Sequence, residues 1–257
     1  MRAPRKRFGQ NFLEDPSVVE QILAAVRPKP GDRFLEIGPG HGALTLALLQ
    51  RLDHLDAIEI DRDMVAELRA GHGTDRLTIH DGDALEFDFL AMGHELRIVG
   101  NLPYNISTPL LFHVTSQSPV VRDAHFMLQR EVVERMAAQP GTPEYGRLSV
   151  MLQYRWSIET LFDVSPSAFR PSPKVWSSVV RMIPHRVLPH AANDDEMFAQ
   201  VVMRAFGQRR KTLRNTLKEL LLSADLERLG INPTARGETL AVADFVRITN
   251  LIASGRS

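Results

Sequence analysis

Short apolar runs alternate with stretches of helical periodicity through the first two thirds of the chain. The runs at residues 33–37, 55–60, 77–80 and 96–99 are brief and continuous, as buried parallel strands are. Between them, Val18, Ile22, Leu23 and Val26 share one helical face, and helices are expected at 43–51 and 63–70. Further along, the pattern predicts a strand at 124–128, helices at 131–138 and 147–154, and strands at 158–164 and 175–183. The last two strands read as a hairpin closing a mostly parallel sheet. This alternation predicts an α/β fold built on a doubly wound, Rossmann-like sheet. Residues 184–193 read as a linker. Beyond it the pattern is helical only, at 194–206, 211–222 and 242–252, with a short piece near Leu226. The expected division is therefore a sheet domain over 1–185 and a small all-helical domain over 190–257.

The carboxyl end of such a sheet is where ligands bind, and each strand end here carries polar chemistry. The first expected strand runs into Gly38-Pro39-Gly40-His41-Gly42-Ala43 and then a helix. Glycines allow a sharp turn and a close approach to a ligand, and the helix start offers free N–H groups. The run satisfies a form of the dinucleotide fingerprint. Alone it does not separate a nicotinamide cofactor from S-adenosylmethionine. Glu59 follows about twenty residues later, the spacing at which a carboxylate accepts both ribose hydroxyls of an adenosine. Asp83, one strand over, is placed to accept an adenine amino group. The fourth strand ends in Asn101-Leu102-Pro103-Tyr104. Asn101 offers a side-chain carbonyl, Leu102 and Pro103 offer backbone carbonyls, and Tyr104 offers an aromatic face. Acceptors beside a ring suit a planar group with an exocyclic amine, such as adenine. Asn-x-Pro is also common in plain turns, so both readings stay open on this motif alone. Thr108 and Pro109 are expected to cap the next helix.

Composition narrows the chemistry. The 257 residues are 44% hydrophobic and 24% charged, as in ordinary globular proteins. No apolar run nears the ~20 residues of a membrane span. No signal peptide is expected, and the cytoplasm is the expected location. The chain has no cysteine, which excludes disulfides, thiolate metal sites and a cysteine nucleophile. Its nine histidines show no His-Glu-x-x-His spacing, and no metal is expected. Net charge is zero, but unevenly distributed: four of the first seven residues are basic, and six basic residues with no acid lie between Arg204 and Lys218. Arg210, Arg214 and Lys218 would form a stripe on one helix, suited to phosphate.

With Lys6-Arg7-Phe8-Gly9-Gln10-Asn11-Phe12-Leu13 at one end and Phe169-Arg-Pro-Ser-Pro-Lys-Val175 farther on, these motifs closely resemble the ribosomal RNA adenine dimethyltransferases. The similarity spans nearly the whole chain, including Pro233-Thr-Ala-Arg236-Gly-Glu238, and is greatest to the bacterial small-subunit branch. The resemblance implies methyl transfer from S-adenosylmethionine to N6 of two adjacent adenines in the 3′-terminal hairpin of 16S rRNA, during small-subunit assembly. It implies cofactor contacts from Asn11, Leu13, Gly38, Gly40, Glu59, Asp83 and Asn101. It places the target base against Asn101, Leu102, Pro103 and Tyr104, with Phe169 and Phe12 completing the pocket. Arg5, Lys6, Arg7, Arg209, Arg210, Lys211 and Arg214 are the expected RNA contacts, and a monomer is expected. Two positions depart from the family pattern: Gly237, where relatives usually carry a larger residue, and Trp176, where a polar one is expected. A large-subunit dimethyltransferase of the antibiotic-resistance type shares every catalytic motif. A mainly non-catalytic assembly factor would share the basic face. A DNA adenine methyltransferase usually carries a large recognition insert, which this chain has no room for. A nicotinamide oxidoreductase fits the glycine loop but explains neither Asp83 nor the adenine-type pocket.

Overall fold

A computed structural model of the chain describes residues 11–72, 75–208 and 210–255. The basic positions Arg5, Lys6, Arg7 and Arg209 lie outside the described residues. The chain divides into two compact units: residues 1–133 with 157–184, and residues 134–156 with 185–257.

In the first unit, β1 (Phe12–Leu13) precedes α1 (Pro16–Val26). Asp15 caps this helix, accepting from the Ser17 N–H at 2.9 Å, and Pro16 takes the first helical position, where no amide donor is needed. Then come β2 (Arg33–Ile37), α2 (Ala43–Leu49), β3 (Leu55–Glu59), α3 (Arg62–His72), β4 (Leu77–Asp81), β5 (Leu96–Asn101), α4 (Ser107–Ser116) and β6 (Val121–Gln129). After α5 (Arg130–Ala137) and α6 (Arg147–Gln153) come β7 (Trp156–Val164), β8 (Phe169–Arg170) and β9 (Ser177–Pro184).

The main sheet has the order β4-β3-β2-β5-β6-β9-β7. Strands β4, β3, β2, β5 and β6 are parallel, and β9 runs antiparallel to β6. The doubly wound sheet and its closing pair of strands thus stand as the periodicity predicts. Strand order reverses between β2 and β5, which opens a crevice at their carboxyl ends. Gly100 sets how tightly that pair closes: a Cβ there would lie 2.5 Å from the Ile37 carbonyl oxygen. Strand β6 begins three residues before the expected strand, and its Asp123 is satisfied by a buried arginine. Asp123 accepts from Arg97 Nε at 3.0 Å, while Arg97 also donates to Asp32 at 2.8 Å and to the Val26 carbonyl at 2.7 Å. A second, two-stranded sheet, which the periodicity does not announce, joins β1 to β8, with Leu13 opposite Phe169.

Three expectations are corrected. First, α4 begins at Ser107 with Ile106 as its cap residue; Thr108 does not cap it. Ser107 instead donates back to the Pro103 carbonyl at 2.9 Å, tying the helix start to the preceding turn. Second, the helix expected at 211–222 shrinks to α8 (Leu213–Thr216), followed by α9 (Ser223–Arg228). Leu213 and Leu217 are fully buried, so one turn already uses the apolar face. The first-turn amides of Leu213 and Arg214 donate to the Ala235 and Pro233 carbonyls, and Asp225 accepts the Leu222 N–H at 2.9 Å to start α9. The stripe of Arg210, Arg214 and Lys218 therefore does not lie along one helix, and Glu219 pairs with Arg204 at 2.5 Å. Third, the boundary near 185 leaves out residues 134–156, which pack with the helical unit. Tyr145 donates to the Leu240 carbonyl at 2.9 Å, and Tyr154 stacks on Phe198 with centroids 4.2 Å apart.

That second unit is otherwise built on α7 (Asp195–Phe206) and α10 (Val242–Ser254), with Phe198, Val201, Val202, Phe245 and Ile248 in its core. Gly237 has a packing reason: a Cβ there would meet the Ala205 carbonyl oxygen at 3.1 Å. Among the described residues no helix is long and apolar enough to cross a membrane.

Candidate active site

One cleft in the first unit gathers residues from β1, the ends of β2, β3 and β5, and the loop after β4. The glycine turn forms one wall. Gly40 has φ +55°, and a Cβ on it would lie 2.9 Å from the Phe12 ring, so the turn is shaped around that side chain. Phe12 in turn packs on His41, with ring centroids 4.2 Å apart, and His41 Nδ1 lies 3.0 Å from Glu67. Glu59 is 6% exposed at the end of β3. It accepts from the Asp61 N–H at 2.9 Å and from the Gly40 N–H at 3.3 Å. Burial raises its carboxyl above the usual range, and these backbone donors oppose the rise. Glu59 therefore braces the glycine turn as well as facing the cleft. Asp83 accepts from the Leu85 N–H at 2.9 Å, which orients its carboxylate in the loop after β4.

Asn11, Leu13, Gly38, Gly40, Glu59, Asp83 and Asn101, the expected cofactor contacts, all line this cleft. So does Glu36, which sequence reasoning missed. It is 2% exposed, accepts from Thr45 Oγ1 at 2.6 Å, and is pushed up to about 7, chiefly by burial. The available signal was an acid inside the apolar run 34–37, two residues before Gly38. Glu36, Glu59 and Asp83 line the cleft, and no lysine or arginine does among the described residues. That charge pattern suits a ligand bearing positive charge and disfavours the phosphates of a dinucleotide. S-adenosylmethionine, with its sulfonium and ammonium groups, fits it.

The Asn101-Leu102-Pro103-Tyr104 segment lines the same cleft, beside the glycine turn: a Cβ on Gly38 would lie 3.8 Å from the Asn101 carbonyl oxygen. Asn101 Nδ2 donates to the Asn11 carbonyl at 3.0 Å, which leaves Oδ1 as the acceptor the side chain has to offer. The Leu102 N–H donates to the Met127 carbonyl at 3.1 Å, anchoring the turn to β6. The Pro103 carbonyl is taken up by the Ile106 N–H at 3.2 Å and by Ser107. Of the two backbone carbonyls the motif offered, Pro103's is thus committed to the turn. Tyr104 is half-buried, and its hydroxyl lies 3.0 Å from Ser177 Oγ. Burial raises its phenol above the ordinary value, against the Ser177 hydrogen bond.

Phe169 does not line the cleft. It is 1% exposed and packs in the core with Leu13 and Met127, because pairing of β8 with β1 turns its ring inward. Phe12 lines the cleft in its place. Deeper in the cleft stands His125 on β6, also missed. It is 3% exposed, 3.4 Å from Asp123, and neither ring nitrogen has a hydrogen bond. Arg210, Lys211 and Arg214 are exposed in the second unit. Among the described residues no cluster of side chains could hold a metal ion.

The comparisons with known proteins agree with this chemistry. Residues 1–254 match the family described as ribosomal RNA adenine dimethylase. A protein of Aromatoleum aromaticum named ribosomal RNA small subunit methyltransferase A is 60% identical over 250 residues, covering 97% of this chain and 94% of that protein. One of the same name from Thiobacillus denitrificans is 57% identical, covering 99% and 100%. A dimethyladenosine transferase structure from Plasmodium falciparum superposes with a TM-score of 0.81 at 26% identity, over 95% of this chain and 98% of that one. The 23S rRNA methyltransferase ErmE shares the fold, with a TM-score of 0.75 at 22% identity, over 95% and 100%. Three cleft carboxylates, a carbonyl-lined turn carrying an aromatic ring, and a match running nearly end to end place this chain in the ribosomal RNA adenine dimethylase family.

Proposed function

We propose that this chain transfers methyl groups to N6 of two adjacent adenines in the 3′-terminal hairpin of 16S rRNA, giving N6,N6-dimethyladenine during small-subunit biogenesis. The observation that carries the reading is the joining of two halves in one cleft. Carboxylates suited to a cationic cofactor and carbonyl acceptors suited to an amine line the same cleft. The small-subunit names of its 57–60% identical relatives support the choice of rRNA. Within the same reading it works as a cytoplasmic monomer.

S-adenosylmethionine, when bound, supplies a methyl group already activated for transfer. The chain's own residues deal with a poor nucleophile, since the N6 lone pair is delocalised into the adenine ring. Asn101 Oδ1 and the Leu102 carbonyl accept hydrogen bonds from N6–H. That draws the nitrogen toward tetrahedral geometry and frees the lone pair. As positive charge develops on N6, the same dipoles stabilise it, the reverse in sign of an oxyanion hole. Tyr104 stacks on the adenine and restores the stacking that the base gives up on leaving its helix, worth ~1–3 kcal/mol. N6 then loses its proton to water. Holding the partners in line supplies up to about 7–11 kcal/mol.

The test is transfer of tritiated methyl from S-adenosylmethionine to purified undermethylated small subunits, with protein-free large-subunit RNA in parallel. Label appearing as N6,N6-dimethyladenine in the small subunit alone is the expected result. Label in the large-subunit RNA moves the protein to the resistance-type reaction. Binding without label leaves an assembly role in place of catalysis.

A further inference from the structure

The chain has two tryptophans, in opposite settings. Trp156 is 1% exposed, whereas Trp176 is 49% exposed in the loop just before β9. An indole left that open gives up much of the burial its size allows, and Trp is enriched at interfaces. Its position ties it to the cleft. The next residue, Ser177, holds the Tyr104 hydroxyl at 3.0 Å, and consecutive Cα atoms are only about 3.8 Å apart. Trp176 is therefore one residue beyond the wall that carries the target-base motif.

The segment is also held in place. The Trp176 carbonyl accepts from the Arg130 N–H at 2.9 Å, Ser172 Oγ donates to the Pro166 carbonyl at 2.8 Å, and Pro171 and Pro173 restrict the backbone between them. A platform ordered in advance costs little entropy when a ligand arrives. The same loop carries basic residues: Lys174 is exposed, and Arg170, 64% exposed, lies 3.9 Å from Glu14 at its other end. An open indole on an ordered loop, two residues after an exposed lysine and one residue from the Ser177 that holds Tyr104, is the chemistry that holds a single-stranded nucleic acid.

We propose that Trp176 is the stacking platform for the unpaired base next to the adenine held at Asn101 to Tyr104, with Lys174 and Arg170 supplying contacts to the phosphates of that segment. The proposal rests on the adenine-N6 reaction given above. When one adenine leaves its stack, its neighbour loses a stacking face, and Trp176 replaces that face while Tyr104 serves the target. The platform thus holds the second adenine in reach for the next transfer.

The exposed indole is its own reporter, because Trp156 is shielded. The probe is a synthetic RNA hairpin with two adjacent unmethylated adenines in its loop. Titrating it should quench emission of the wild-type protein, and Trp176→Phe should abolish that quench. With undermethylated small subunits, Trp176→Ala should raise KM on the order of tenfold with kcat near wild type. Trp176→Phe, which keeps an aromatic face, should stay near the wild-type KM. Cofactor binding and melting temperature of both variants check the fold. Unchanged KM for Trp176→Ala together with no RNA-dependent quench overturns the proposal. A KM defect on intact subunits, with the hairpin bound equally well by Trp176→Ala and wild type, means the indole meets ribosomal protein and also overturns it. If the wild-type protein methylates no RNA, the proposed reaction fails, and the quench still decides whether Trp176 meets the base.

Discussion

Asn101 shows how one side chain acquires a direction. Its amide nitrogen is spent on the Asn11 carbonyl, so the group it can offer to N6–H is an oxygen. Asn101→Ala should lower the methyl-transfer rate on the order of a hundredfold while cofactor binding and melting temperature change little. Single-turnover label incorporation reads the rate, and a near-normal value would remove the lone-pair argument. Tyr104→Phe loses only the hydrogen bond with Ser177 and should retain most activity, while Tyr104→Ala also loses stacking and should weaken catalysis far more. Equal losses in the two variants would assign the role to the hydroxyl. Glu36 carries a third prediction. Its carboxyl stands near 7 in the folded chain, against 4.5 when unperturbed. The folded state therefore holds the proton more tightly, so its stabilising contribution is complete below about 4.5 and is lost as pH rises toward about 7. The loss amounts to about 3 kcal/mol. Urea unfolding of Glu36→Gln at pH 5 to 8 should show a flatter pH dependence than wild type.

At the scale of elements, the site depends on how closely β2 and β5 approach. A methyl on Gly100 would sit 2.5 Å from backbone, and no side-chain movement relieves that clash. Gly100→Ala should destabilise by about 1–3 kcal/mol or more and weaken S-adenosylmethionine binding, because Gly38 and Asn101 stand at the two strand ends it separates. Thermal melting with and without cofactor checks both parts. Elements also show where sequence reading reaches its limit. The strands at 33–37 and 55–59 and the helix over 195–206 were legible because their apolar spacing matches one period. The helix expected at 211–222 was not, since Leu213, Leu217, Leu220 and Leu221 keep helical spacing while the amides of Leu213 and Arg214 find tertiary acceptors. Phe169 was misplaced for a related reason. A two-residue pairing with β1 sends its ring to the core, and so short a strand leaves no periodic trace.

For the molecule as a whole, the two compact units exchange chain. Residues 134–156 leave the sheet, pack among the C-terminal helices, and return as β7. Cutting the chain at residue 185 therefore should not yield a tidy sheet domain. Fragment 1–185 is expected to expose Tyr145, Val150 and Tyr154, which are buried in the intact chain, and to bind ANS and melt broadly where the full chain melts cooperatively. A sharp transition with no ANS binding would show that 134–156 can fold without the C-terminal helices. The sequence alone determined the doubly wound sheet, the residues at its carboxyl edge and the kinship to adenine dimethyltransferases. These depend on local period, turn chemistry and motif spacing, all of which are written linearly. Only tertiary structure decided that Glu36 joins the cleft while Phe169 leaves it, that Pro103's carbonyl is already used, and that residues 134–156 belong with the helices. Each of those outcomes depends on which buried partner a group meets across the fold, and burial and pairing between distant segments leave no periodic mark on the chain.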